Sequence, residues 1–357
     1  MTENLPKITV ITATFNLIKA GRETFFRQCV ESVHNQTYPN IEHIIMDGAS
    51  TDGSLDLIRE YEAKGWLKCY SEPDAGIDDG YNHGLAHANG KYVFFMNSDD
   101  KYFSDDALAE CVKKMEEENA DYCYGIEQRY DRNGTFLSTW KPQPEIFWLT
   151  MPFSHQTMGC CLDILKKLNN CDTDYGFGGD FCLIQKLILN DFKGVYVDKI
   201  ISYYRTGGIS SSADSIYKNM QTVFVIARRI FNFSKEFYAE ITYDDCVHMV
   251  LNPPQPGFKD TFPKFYLQRL VKYLIDKKLK NINYDKVISL IFSYKGWEIG
   301  QTNKVSNIEN SNVTNQTKKT FYIRLFNLIP IIEIRRNRNY IRIRLFNLIP
   351  IIKIKRC

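Results

Sequence analysis

Two adjacent carboxylates, Asp99 and Asp100, follow the apolar run 92–96 after only Asn97 and Ser98. The run predicts a buried strand, and a parallel strand delivers the residues after it to the carboxyl edge of its sheet, where open α/β sheets bind ligands. Carboxylate oxygens suit a divalent Mg²⁺ or Mn²⁺, which in turn binds a diphosphate. A solvated helix cap is the simpler explanation of an isolated Asp-Asp pair, so the surrounding sequence decides.

Strand and helix patterns alternate through the first 120 residues. The predicted strands are 7–14, 41–46, 67–70 and 92–96, and the predicted helices are 22–36, 54–63, 77–88 and 105–118. This order predicts an α/β fold with a doubly wound, mainly parallel sheet. Because no GxGxxG follows the first strand and neither Walker pattern is present, a Rossmann dinucleotide site is not expected.

Each predicted strand of this half ends in short polar side chains. They are Thr12, Thr14 and Asn16, then Asp47 and Asp52, then Glu72 and Asp74, then Asn97, Ser98, Asp99 and Asp100. An edge this acidic needs a bridging cation before it binds a diphosphate, and its other groups are free to bind a base or hydroxyls. Asp79 and Asn82, on the helix after the third strand, are candidates for binding donor ribose or sugar, although helix capping explains Asp79 nearly as well.

Five segments in order resemble a family 2 glycosyltransferase with the GT-A fold, of the bacterial surface-glycan type. They are TATFN at 12–16, SVHNQTYPNIE at 32–42, DGASTDGS at 47–54, SEPDAGIDDGYN at 71–82 and NSDD at 97–100. The resemblance spans about residues 6–210 and implies transfer of a sugar from a nucleotide-sugar donor with inversion. It also implies that Asp47 lies toward the nucleobase and that Asp99 is the metal-binding end of a DxD-like motif. The sequence departs from the family at Gly48 and Asn97, where acids are common.

An inverting transfer requires one general base for the acceptor hydroxyl. The resemblance favours Asp180, which follows the glycine pair 178–179 and precedes an apolar helical stretch at 181–189. An ordinary helix N-cap is the alternative reading of Asp180, and Asp172 and Asp174 are fallback bases.

His155 and Arg205 complete the candidate donor-binding residues. His155, in the segment PFSHQ, is placed by the resemblance at the acceptor pocket or the diphosphate site, although a lone histidine is more often a satisfied structural group. Arg205, followed by TGGIS, suits a loop that closes over the diphosphate, and a simple surface turn is an equal alternative. Trp140 offers a stacking face to an acceptor sugar, although an isolated tryptophan is more often part of a core.

The net charge of +3 conceals a strongly basic segment. Residues 318–357 contain eleven Lys or Arg and one acid, so this segment carries +10 and the remainder −7 by subtraction. The nine residues RLFNLIPII occur at 324–332 and again at 344–352, a period of 20. We expect a catalytic domain at 1–212, a helical extension at 213–300, a polar linker at 301–320 and a basic, apolar tail at 321–357.

The tail is too short and too charged to span a bilayer. It suits an anionic membrane surface, where each basic residue contributes about 1 kcal/mol. Packing on the protein or on a partner chain is the alternative, and nucleic-acid binding is not expected because no aromatic-interleaved basic groove accompanies the charge. The ten cysteines show no CxxC spacing, which predicts reduced thiols and no zinc site. The polar start and the lack of an apolar run of about 18 residues predict a cytoplasmic protein, at the inner face of the membrane.

The predicted function is therefore an inverting glycosyltransferase that uses a nucleotide-diphospho-sugar, preferably a UDP-sugar, with Mn²⁺ or Mg²⁺. Its expected acceptor is a glycan or lipid-linked glycan of bacterial lipopolysaccharide, capsule or exopolysaccharide assembly, and self-association is left open. Gly48 and Asn97 keep one alternative, a catalytically inactive sugar-nucleotide-binding or scaffold protein at the membrane. A nucleotidyltransferase is disfavoured because it needs a glycine- and Arg/Lys-rich loop after the first strand.

Overall fold

The computed structural model describes residues 5–147, 151–171, 173, 178–208, 280–283 and 286–287, together with the backbone of five later strands. The chain divides into two compact units, 1–251 with 272–283 and 252–271 with 284–357. Each unit is considered by itself below.

The first unit contains six α-helices and nine strands within its described residues. The helices are α1 (Glu23–His34), α2 (Ser54–Ala63), α3 (Ile77–His87), α4 (Ala107–Glu118), α5 (Leu162–Lys167) and α6 (Gly179–Leu189). The strands are β1 (Ile8–Thr14), β2 (Ile41–Asp47), β3 (Lys68–Ser71), β4 (Tyr92–Phe95), β5 (Lys101–Tyr102), β6 (Tyr122–Tyr130), β7 (Phe136–Trp140), β8 (Gly159–Cys161) and β9 (Gly194–Arg205). Two 3₁₀ turns lie at Pro144–Ile146 and His155–Thr157.

These nine strands form one mixed sheet in the order β3-β2-β1-β4-β8-β6-β9-β5, with β7 paired to β6. The β3-β2-β1-β4 half is parallel, as predicted. Strand β8 then runs antiparallel to both β4 and β6, while β9 is parallel to β6. The four parallel strands therefore end at one edge, as the sequence pattern requires.

Helices cover both faces of the parallel half. Helix α1 buries Phe26, Cys29, Val30 and Val33, the i, i+3, i+4, i+7 spacing of an amphipathic helix, and Cys29 and Val33 join a core cluster that includes Val10 of β1. Helix α3 packs against β1 and β2 on the side of Ile11, where a Cβ on Gly84 would lie 2.4 Å from the Ile11 Cγ2 atom. Glycine at position 84 thus allows α3, which carries site residues, to approach the sheet closely.

The predicted element boundaries agree with the structure to within about two residues. Helix α1, for example, covers 23–34 where 22–36 was predicted, and α2 covers 54–63 as predicted. Helix α6 begins at Gly179 rather than at 181, so Asp180 lies in its first turn. The predicted helical extension falls almost entirely outside the described residues, and all eight cysteines among the described residues are free, in line with the predicted reduced thiols.

The second unit contains a five-stranded antiparallel sheet that explains the sequence repeat. Its strands, in both chain and spatial order, are β10 (Ile299–Gln301), β11 (Thr320–Ile323), β12 (Ile332–Asn337), β13 (Tyr340–Leu345) and β14 (Ile352–Lys355). Ile323 is the register partner of Ile332, and Ile343 is the partner of Ile352, so both pairs are related by the 20-residue period. The repeat is therefore two copies of one strand pair with the same register.

Apolar and charged positions alternate in the register of these strands. Ile334 pairs with Ile343 and Ile341 with Ile354, whereas Glu333 pairs with Arg344, Arg335 with Arg342, and Arg342 with Lys353. Such alternation is typical of a sheet with two chemically different faces. Within the described residues, none of the helices combines the length and the apolarity that a membrane span requires.

Candidate active site

A cavity of about 950 Å³ opens at the carboxyl edge of the parallel strands, where the sequence predicts the site. Eight predicted site residues line it: Thr14, Asn16, Asn97, Ser98, Asp99, His155, Asp180 and Arg205. Six others are not among its lining residues: Thr12, Asp47, Asp52, Asp79, Asn82 and Asp100.

Several of the second group hold the loops around the cavity. The buried Asp47 carboxylate accepts hydrogen bonds from the Ser50 hydroxyl (2.5 Å) and amide (3.0 Å) and from the Ser71 hydroxyl (2.7 Å), so it connects the ends of β2 and β3. Asp52 accepts the Lys19 amide hydrogen at 2.7 Å and thereby joins the loops after β1 and β2. These contacts satisfy both carboxylates within the protein.

Thr12, Asp79 and Asn82 are likewise engaged with their surroundings. The Thr12 hydroxyl lies 3.1 Å from the His43 Nε2 atom, and both side chains are buried. Asp79 accepts the Ala75 amide hydrogen at 2.9 Å, which supports the start of α3. The Asn82 side chain donates to the Cys171 carbonyl at 2.9 Å and so joins α3 to the segment that precedes α6.

The two adjacent aspartates after β4 have different environments. Asp99 lines the cavity, whereas Asp100 is 1% exposed and accepts hydrogen bonds from the Arg205 amide (2.6 Å), Asn97 Nδ2 (3.1 Å) and Gln156 Nε2 (3.2 Å). Burial and repulsion by Asp99 raise the pKa of Asp100 well above its usual range, and the hydrogen bonds oppose that shift. Of the two predicted metal ligands, Asp99 lines the cavity and Asp100 does not, and Asp100 instead holds together the segments around it.

Asp180 reaches the cavity from the first turn of α6. Gly178 precedes this turn in a left-handed conformation with φ of 98°, and the Gly179 amide donates to the Asp78 carboxylate at 3.2 Å. A Cβ on Gly179 would lie 2.5 Å from that carboxylate, so only glycine allows α6 to begin this close to α3. The first turns of both helices therefore present a carboxylate, Asp78 and Asp180, to one cavity.

His155 is held between aromatic rings at the cavity wall. Its ring stacks on Phe95 with centroids 4.6 Å apart and meets the edge of Tyr81 at 5.5 Å. Burial lowers the pKa of His155, and the nearby Asp180 opposes that shift, so the imidazole is neutral at pH 7. Its Nε2 atom is buried and has no hydrogen-bond partner in the described part of the chain.

Arg205 is fixed by contacts with Asp99, Gln28 and Phe25. Its guanidinium donates to the Asp99 carbonyl at 2.6 Å and to the Gln28 side chain, and lies over the Phe25 ring at 4.7 Å. The loop that follows is tied at Gly207, whose carbonyl accepts from the Arg132 side chain at 2.8 Å. The predicted loop thus lies at the cavity, and its last two residues, 209 and 210, are outside the described residues.

Sequence reasoning missed several residues of the cavity wall. Phe15 lines the cavity and is 60% exposed, and the Arg129 guanidinium lies 4.3 Å over the Trp140 ring at the same cavity. The sequence predicts a strongly acidic edge, and the cavity wall also carries positive charge, because Lys19, Arg22, Arg129 and Arg205 line it together with its acids. The signal for Phe15 in the sequence was a large aromatic residue directly after a predicted strand.

The departure at Gly48 has a steric reason. A Cβ at this position would lie 2.8 Å from the Asp74 Oδ2 atom, so the Asp74 carboxylate occupies the space into which a side chain at 48 would extend. Asp74 lines the cavity, and burial raises its pKa. An acid reaches this part of the edge from the loop after β3 instead of the loop after β2.

Comparison with known proteins identifies the family of the first part of the chain. Residues 9–164 match the family described as Glycosyl transferase family 2. This segment is a family 2 glycosyltransferase domain. The chain is 30% identical over 169 residues to the putative teichuronic acid biosynthesis glycosyltransferase TuaG of Bacillus subtilis, covering 47% of this chain and 65% of that one. It is 28% identical over 212 residues to the UDP-Glc:alpha-D-GlcNAc-diphosphoundecaprenol beta-1,3-glucosyltransferase WfaP of Escherichia coli, covering 58% and 80%.

The glycosyltransferase domain has the GT-A fold, and solved structures share it. Staphylococcus aureus TarS 1–349 in complex with UDP-GlcNAc aligns with a TM-score of 0.52 at 19% identity, over 83% of this chain and 95% of that one. The mannosyltransferase PcManGT of Pyrobaculum calidifontis, in complex with GDP-Man and Mn²⁺, aligns with a TM-score of 0.53 at 18% identity, over 78% and 88%. The chain spans between 16% and 40% of the length of three further curated glycosyltransferases.

Proposed function

We propose that this chain is an inverting glycosyltransferase that moves a sugar from a nucleotide-diphospho-sugar, preferably a UDP-sugar, to a glycan or lipid-linked acceptor of bacterial surface-polysaccharide assembly. The observation that carries the proposal is that Asp99, Asp180 and the unpartnered Nε2 atom of His155 all belong to one cavity of about 950 Å³. A volume of this size suits a nucleotide-sugar. WfaP, whose name includes UDP-Glc, and TarS, whose structure is a complex with UDP-GlcNAc, support the preference for UDP.

Donor binding is assigned to the residues that line the cavity. The exposed ring of Phe15 offers a stacking face for the nucleobase, with Thr14, Asn16 and Asp74 available for hydrogen bonds. Asn97, Ser98 and Asp99, which follow β4 and line the cavity, suit the diphosphate. Arg205 holds this segment by donating to the Asp99 carbonyl. Asp47, placed near the base by the family resemblance, would act indirectly by holding the loops after β2 and β3.

A divalent cation, Mn²⁺ or Mg²⁺, fits this site only if the donor supplies further ligands. The described residues contain no group of three or more His, Cys, Asp or Glu able to hold a metal by themselves. Mg²⁺ is often bound by one or two carboxylates together with substrate phosphates, and Asp99 supplies one such carboxylate here. When bound, the cation offsets the charge that develops on the departing diphosphate.

Asp180 is assigned as the general base. Its half-buried carboxylate would accept the proton of the acceptor hydroxyl as that oxygen attacks the anomeric carbon from the face opposite the diphosphate. The neutral His155 would hold a sugar hydroxyl through Nε2, since a buried imidazole nitrogen without a partner gains most from a ligand hydrogen bond. Trp140 and Arg129 suit the acceptor end of the cavity, because an indole face packs well against a sugar ring.

The basic sheet of the second unit supports a peripheral location at the cytoplasmic face of the membrane. Its register contains a set of positions occupied by Arg335, Arg342, Arg344, Lys353 and Lys355. Basic clusters of this kind bind anionic lipid headgroups, and attachment to the bilayer would raise the effective concentration of a lipid-linked acceptor.

Donor turnover tests the proposal. Purified protein is incubated with UDP-, GDP- and dTDP-sugars and Mn²⁺, with membrane glycolipid as acceptor, and nucleoside diphosphate release is measured. We expect release from one donor, a loss of at least about 100-fold in Asp180→Asn, since general-base catalysis contributes 10²–10⁴, and no change in Asp56→Asn, an exposed aspartate of α2. Donor binding without turnover in the wild type would favour the inactive binding or scaffold protein.

A further inference from the structure

The DxD-like motif leaves one carboxylate for a ligand. The Asn97 amide is used within the protein, because its Oδ1 atom accepts from the Tyr81 hydroxyl at 2.8 Å and its Nδ2 atom donates to Asp100 at 3.1 Å. Asp100 is buried and accepts three hydrogen bonds, as described above. Asp99 is therefore the one carboxylate of this trio that lines the cavity, and the charge of a diphosphate requires positively charged groups beside it.

Arg22 stands next to that carboxylate. Its Nε atom lies 3.6 Å from the Asp99 Oδ2 atom, and the two side chains are 19% and 13% exposed. Both residues line the cavity. This distance is longer than that of a charge-assisted hydrogen bond, so the pair is an electrostatic contact and not a hydrogen bond.

The Arg22 Nε atom is also buried without a hydrogen-bond partner among the described residues. A buried donor without an acceptor costs free energy, and more so when it is charged. The Arg22 side chain as a whole is 19% exposed and lines the cavity, so a ligand oxygen would meet its exposed part, and phosphate oxygens match guanidinium geometry well.

Arg205 differs from Arg22 in this respect. Its two terminal nitrogens donate to the Asp99 carbonyl and to Gln28, and its plane lies against aromatic rings, so it is committed to the protein. Lys19 lines the same cavity and adds a second cation on the loop before Arg22. Among Lys19, Arg22 and Arg205, the positive charge available to a ligand therefore comes from the segment between β1 and α1.

We propose that Arg22 binds the donor diphosphate directly and supplies affinity for the nucleotide without a divalent cation, with Asp99 positioning the guanidinium before the donor arrives. The inference rests on the proposed function, because it requires a donor with a diphosphate. In this proposal the cation and Arg22 both offset the charge of the diphosphate. Because Arg22 already supplies affinity for the nucleotide, the cation contributes more to turnover than to binding.

Calorimetric titration of the full-length protein with UDP, in EDTA and in Mn²⁺, tests this division. We expect the wild type to bind UDP in EDTA and Arg22→Gln to bind at least about tenfold more weakly there, since one hydrogen bond to a charged group contributes that much. In Mn²⁺ the loss should be smaller. The control is Arg27→Gln on the same helix, where Arg27 pairs with Glu23 and Glu60 at the surface and its removal should leave UDP affinity unchanged.

Three outcomes would overturn the inference. Equal UDP affinity of Arg22→Gln and wild type in EDTA, with matching urea unfolding curves, would show that Arg22 does not contact the diphosphate. Binding of UDP by the wild type in Mn²⁺ but not in EDTA would assign the affinity to the cation. Absence of binding of UDP, GDP and dTDP in both buffers would overturn the proposed function itself and this assignment with it.

Discussion

The adjacent aspartates after β4 should separate cleanly into one residue that stabilises the fold and one that serves the ligand. In Asp100→Ala, the Arg205 amide, Asn97 Nδ2 and Gln156 Nε2 all lose their acceptor. Each buried donor left unpaired costs about 1–3 kcal/mol, and removal of a buried charge offsets part of the sum. Over the three donors this cost is about 3–9 kcal/mol, so we expect the free energy of unfolding to fall by roughly 3 kcal/mol, near the lower end of the summed range.

The matched variant is Asp99→Ala, which removes the same group one residue earlier. Its carboxylate lines the open cavity and has an electrostatic contact with Arg22 at 3.6 Å in place of the three hydrogen bonds that Asp100 accepts, so the loss of stability should be smaller than in Asp100→Ala. Urea unfolding followed by tryptophan fluorescence, with both variants compared with wild type at equal m-values, measures the difference. If the two variants lose the same stability, the assignment of Asp100 to the fold and Asp99 to the cavity is refuted.

Two further predictions concern pH and the membrane. Burial lowers the pKa of His43 to about 3, so below the unfolded value near 6.5 the folded state binds fewer protons than the unfolded state. The free energy of unfolding should therefore fall as pH falls, by up to about 1.4 kcal/mol per pH unit. His43→Gln should flatten this slope in urea unfolding between pH 7 and 5, and an unchanged slope would contradict the lowered pKa of His43. Replacement of the five basic strand positions Arg335, Arg342, Arg344, Lys353 and Lys355 by Gln should abolish co-sedimentation with phosphatidylglycerol vesicles, at about 1 kcal/mol per charge; retained binding would point to another attachment surface.

Local patterns sufficed for the elements and for the position of the site. Strand β4 and helix α2 were predicted closely because their apolar spacing is set within a few residues. The carboxyl edge followed from strand order, and Asp99, Asp180 and His155, of which the last two were proposed from the family resemblance, line the cavity.

The different roles of Asp99 and Asp100 could not be predicted in this way. Asp100 is distinguished by Gln156 and Arg205, which lie 56 and 105 residues further along the chain. Arg22 escaped notice for a related reason, since its proximity to Asp99 arises only when α1 packs beside β4. Hydrogen-bond partners that distant determine which of two equivalent carboxylates remains open to a ligand.

The repeated strand pair of the second unit allows the basic surface to grow in steps. A 20-residue insertion that copies the segment would add two strands with the same register and the same set of charged positions, because β12 already pairs with β13 across the junction between copies. An unequal crossover between the two copies in the gene would delete one unit just as cleanly. Variation in copy number would therefore change the number of basic strand positions by a fixed increment while the family 2 domain stays unchanged, so the membrane attachment proposed for these positions could evolve independently of the proposed sugar transfer.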